Sequence, residues 1–109
     1  MDYRLFNRFA DMIDMMPPRG IIKCLELQCR MIEDDFTNQR DIPMKAAISI
    51  RNFYQIIQAA GNRQKTPPVA DLPIEHVAFY KKTVHRLIQA GELPSGAVES
   101  FQNEVSVCA

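Results

Sequence analysis

The chain contains no tryptophan, no long apolar run and no closely spaced cysteine pair, and each absence closes off a class of protein. Its apolar runs last only a few residues, far short of the roughly 20 needed to cross a bilayer, so no transmembrane helix is expected. The three cysteines, Cys24, Cys29 and Cys108, are odd in number and contain no CxxC. Neither a disulfide framework nor a zinc site of common spacing is written here. Glycine is scarce: the four glycines stand alone, with no GxGxxG and no P-loop to cradle a phosphate. Net charge is zero, which removes the compositional argument for nucleic acid or an anionic membrane as partner. Met1-Asp2-Tyr3-Arg4 leads into patterned sequence rather than an apolar signal core, so a reducing cytoplasm with free thiols is expected.

Proline, by contrast, is well placed. Pro17-Pro18, Pro43, Pro67-Pro68, Pro73 and Pro94 cut the chain into helix-length pieces, because proline lacks a backbone donor and clashes with the preceding turn. Each piece carries apolar residues at helical spacing. From Asp2 to Met16 the stripe is Leu5, Phe6, Phe9, Met12, Ile13 and Met16. A second helix opens at Pro18 or Arg19 and runs to about Phe36, with Ile22, Leu25, Cys29, Ile32 and Phe36 inward and Ile21, Cys24 and Met31 broadening that face.

The third piece, about Pro43 to Ala60, is the most apolar, and Gly61-Asn62 supplies its stop. A helix apolar on more than one side packs against several neighbours, which makes it the central helix. Arg63 to Pro73 then reads as the longest loop. A fourth helix starts at Pro73 or Ile74, with Ile74, Val77, Ala78, Val84, Leu87 and Ile88 as its stripe, and ends at Gly91. Ser95 suits the cap of a fifth, carrying Val98, Phe101, Val105 and Cys108. The prediction is one domain over residues 1–109, all-α: a compact bundle of about five short helices around an apolar third helix, its core filled by Met, Phe, Leu and Ile.

Chemistry is harder to find. Cys24 and Cys29 are five residues apart and diverge by roughly 140° on a helix, and His76 and His85 fall on opposite faces. No HExxH or ExxH pair occurs, so no metal ligand, cofactor or catalytic residue is assigned and no enzyme activity is expected. A weaker reading assembles a ligand-binding or enzymatic site from Tyr54, Tyr80, His85 and Cys29. The acidic run Glu33-Asp34-Asp35 reads as solvated surface, with an ion-pairing patch for Arg63, Lys65 or a partner's bases as the alternative.

Two surfaces remain. Residues 43–91 carry seven bases against Asp71 and Glu75, so Arg63, Lys65, Lys81, Lys82 and Arg86 form a possible basic patch for an acidic partner or nucleic acid. The stretch Leu87 to Gly96 resembles the start of the winged-helix domain of GntR-type transcription regulators over those ten residues alone; the recognition helix and wing of that family are not in the sequence. The other surface is the third helix, where Ile50, Phe53, Tyr54 and Ile57 form a possible apolar interface if short neighbours leave it uncovered. The function expected is protein–protein interaction or regulation, with homodimerisation the first partner considered and a nucleic-acid accessory role the second.

Overall fold

The structure, a computed structural model, describes residues 4–61, 70–97 and 105–108. Four helices are present among them: α1 (Arg4–Met15), α2 (Pro18–Thr37), α3 (Met44–Gly61) and α4 (Ile74–Gln89). The all-α class holds, and each helix ends where the sequence punctuates it. Pro17 takes an extended conformation before α2, and Pro18 occupies the first turn, where a missing N–H costs nothing. Gly91 closes α4 at φ 77°, with its N–H on the Ile88 carbonyl and the Glu92 N–H on Leu87. That pair of bonds is a Schellman motif. The same motif closes α2, but its left-handed position is held by Gln39 at φ 54°.

Helix α3 is central. Eight of its side chains are buried (Ala46, Ala47, Ser49, Ile50, Phe53, Ile56, Ile57 and Ala59), and α1, α2 and α4 all pack on it. Each large apolar side chain so buried contributes about 1.5–3 kcal/mol. The neighbours are short but cover it, and Ile50, Phe53 and Ile57 are enclosed by the chain itself. Of the four residues expected to stay open for a partner, only Tyr54 remains half-buried.

Two short strands were not expected. Residues Ala70–Pro73 form β1 at the end of the presumed loop, and Val105–Cys108 form β2. They pair in parallel, Ala70 with Val105 through to Pro73 with Cys108. A parallel pair needs a crossover, which α4 supplies between the two strands. The expected fifth helix is therefore corrected at its end: Val105 and Cys108 lie on a strand, in a Val-Ser-Val-Cys segment rich in strand-forming residues. Leu72 precedes a proline, which favours extended backbone in β1. Val98 and Phe101 lie outside the described residues; before them, Ala97 is helical and its N–H bonds the Pro94 carbonyl.

The buried faces are also rotated from the expected ones. On α2 the inward residues are Ile21, Leu25, Cys29 and Ile32, while Met31 faces out. On α4 they are His76, Tyr80, Thr83, Val84 and Leu87, while Ile74 is 62% exposed and Ala78 is exposed. Aromatic bulk decided the α4 register: Tyr80 buries more surface than Val77 or Ala78, provided its hydroxyl finds a partner.

Candidate functional site

Ser49 is that partner. Its Oγ lies 2.6 Å from Tyr80 Oη and 2.8 Å from His76 Nδ1, tying α3 to α4 inside the core. All three side chains are buried. One arrangement leaves no hydroxyl proton without a partner: Tyr80 donates to Ser49, and Ser49 donates to Nδ1 of a neutral His76 carrying its proton on Nε2. Aromatic rings close both ends. Phe6 of α1 stacks on His76 at 3.6 Å between centroids, and Phe53 stacks on Tyr80 at 4.1 Å.

Burial sets the protonation states. It lowers the His76 pKa from the usual imidazole value; Glu75 opposes that shift and Lys45 adds to it. Burial also raises the Tyr80 pKa, against the hydrogen bond it shares with Ser49. A serine beside a histidine is the geometry of an activated nucleophile. Here the hydroxyl is enclosed between His76 and Tyr80, so the cluster acts as a polar brace joining three helices.

Sequence reasoning missed Ser49 and placed neither His76 nor Tyr80 in a hydrogen-bonded core cluster. The signal was spacing: His76, Tyr80, Val84 and Leu87 recur at helical intervals, and Ser49 interrupts the apolar run Ala46 to Ile50. His85 does not join Tyr80. It is exposed, about 140° around α4 from that ring. Cys29 is buried among apolar neighbours, and its thiol is pushed up to about 11, chiefly by burial and then by Glu33, against Arg51. Cys24 sits beside Met12, sulfur to sulfur at 4.0 Å.

No family model, curated protein or solved structure matches this chain significantly. Its surfaces therefore have to be read from their own residues.

The basic candidates divide. Arg63 and Lys65 lie outside the described residues. Lys81 is exposed on α4. Lys82 pairs with Asp14 at 3.0 Å, and Arg86 donates from Nη1 to the Ile13 carbonyl and from Nη2 to the Met16 carbonyl. Arg86 thus supplies donors where α1 ends, sharing the Ile13 carbonyl with the Met16 N–H and reaching the Met16 carbonyl just past the helix, at the end the helix dipole makes attractive to cations. The acidic run is likewise engaged within the chain: Arg40 bonds Asp34 and Asp35, and Arg51 bonds Glu33.

The methionines depart furthest from expectation. None of the five described ones belongs to the buried core: Met12 and Met16 are half-buried, while Met15, Met31 and Met44 are 87%, 61% and 53% exposed. Leu27, one turn before Met31 on α2, is 47% exposed. Met12 and Met16 meet Cys24 and Gly20 along the α1–α2 seam, and Met16 lies 3.1 Å from where a β-carbon on Gly20 would stand. Helical spacing places Gly20, Cys24, Leu27 and Met31 within about 60° of one another, so seam and outer stripe form one continuous face.

Proposed function

We propose that this protein acts by binding another polypeptide through the α1–α2 face marked by Leu27 and Met31, and that it is not an enzyme. The observation that carries the reading is the exposed Leu27 and Met31 on α2, continuing the seam where Met12 and Met16 meet Cys24 and Gly20. Methionine is flexible and polarizable, and surfaces rich in it repack around apolar partners. A reducing, cytoplasmic setting suits the free thiols of Cys24 and Cys29. No helix among the described residues is long and apolar enough to cross a membrane. The nucleic-acid reading has less support, because Arg86 and Lys82 are committed to α1.

Comparative affinity capture tests this. Wild type, Leu27→Asp with Met31→Asp, and the exposed control Gln58→Asp are each checked for folding by circular dichroism and used as bait. Proteins retained by wild type and the control but lost from the double variant support the reading. Identical retention by all three contradicts it.

A further inference from the structure

We propose that the outer face of α2 is covered by a second copy of this chain, pairing antiparallel about a two-fold axis near Leu27; this rests on the reading of that face as a contact surface. At 20 residues α2 is the longest described helix, about 30 Å from end to end. Its end charges are ordered along that length, and the one base that departs from the order, the exposed Arg30, is held by Glu26 at 2.7 Å. Arg19 and Lys23 are exposed near its start, Glu33 and Asp34 are exposed near its end, and Leu27 and Met31 lie exposed between them.

That order reinforces the helix macrodipole instead of offsetting it. The first turn has no acid and the last turn no base, the reverse of what stabilises a helix. Within the chain the acidic end is partly balanced by Arg40 and Arg51. At the basic end Lys23 pairs, among the described residues, with Glu26 three residues along, a carboxylate it shares with Arg30. An antiparallel copy answers both the formal charges and the dipole. Arg19 and Lys23 of each chain face Asp34 of the other, and two-fold symmetry makes the exchange happen twice. Leu27 then lies against its own counterpart, with Met31 adapting beside it. Parallel pairing would set like charges opposite each other, which an interface penalises. The patch is small, so association in the micromolar range or weaker is expected.

The test combines sedimentation with directed cross-linking. Wild type should sediment as a concentration-dependent dimer. Leu27→Cys, in a chain carrying Cys24→Ser and Cys108→Ser, should oxidise to a disulfide-linked dimer, whereas the similarly exposed control Met44→Cys should not. Arg19→Glu alone and Asp34→Arg alone should each weaken the dimer by about tenfold, and the two together should restore it. A wild type that stays monomeric while Leu27→Cys remains uncross-linked overturns self-pairing, as does cross-linking that is equal at positions 27 and 44. If capture is still lost from the Leu27→Asp, Met31→Asp bait, only self-pairing has failed and the contact face stands. If capture is unchanged, the reading beneath it has failed too.

Discussion

The imidazole of His76 lies flat against the ring of Phe6, 3.6 Å between centroids and 11° from parallel, so the start of α1 docks on a group that must stay neutral. Protonating His76 would remove the acceptor that Ser49 Oγ uses and place a charge in the core. The unfolded chain binds a proton there near pH 6.5, and the folded chain only at lower pH. Between those values the unfolded state holds more protons, so stability rises with pH and is lost on acidification from about 6.5. Urea unfolding at pH 7.5 and pH 5.5 should show wild type losing more stability than His76→Gln, which keeps an acceptor without a proton to gain. Equal losses in the two proteins would refute the link.

Ser49 should be worth more than its size. Ser49→Ala strands the buried Tyr80 hydroxyl, at about 1–3 kcal/mol of destabilisation. Tyr80→Phe removes that hydroxyl and should cost about 1 kcal/mol. Because one group serves the other, the double variant should cost less than the two singles added together. Chemical denaturation of the four proteins measures the difference; strict additivity would mean the brace does not exist.

The two Schellman caps make a matched pair. Gln39 sits in the left-handed region without the freedom of glycine, so Gln39→Gly should stabilise by about 0.5–1 kcal/mol. Gly91→Ala should destabilise by about 1–2 kcal/mol, since φ 77° strains any β-carbon even where space is open. Thermal melts of both variants should move in opposite directions.

Arg86 and Lys82 lie one turn apart but do different jobs. Replacing Arg86 with Met should cost about 2–3 kcal/mol, because two charge-assisted bonds to the Ile13 and Met16 carbonyls disappear. Lys82→Met removes an exposed ion pair with Asp14 and should cost less than about 1 kcal/mol. Adding salt should leave the Arg86→Met penalty largely unchanged. Comparable costs for the two variants would contradict the capping role.

Helix limits were legible because proline and glycine act locally: Pro17-Pro18 and Gly91 punctuate whatever the rest of the chain does. The inward faces were less so. On α4, scoring by hydrophobicity favours Ile74, Val77 and Ala78, yet Tyr80 and His76 take the core because Ser49, 27 residues before His76, supplies the bond that lets them be buried. That complement is a tertiary fact, invisible in the periodicity of α4 alone. The strand at Val105–Cys108 is similar, since four residues become a strand only when β1 offers an edge. The methionine face was misjudged for a simpler reason. Methionine counts as core material by composition, but at positions 15, 31 and 44 it falls on a helix side that none of the described elements covers.

The most direct measurement is the methyl spectrum of the methionines, recorded by carbon–proton NMR from dilute to concentrated protein. Met31 should shift along a single binding curve while Met44, at the start of α3, stays fixed. Met31 resonances that do not move with concentration, or a shift led by Met44, would contradict pairing through α2.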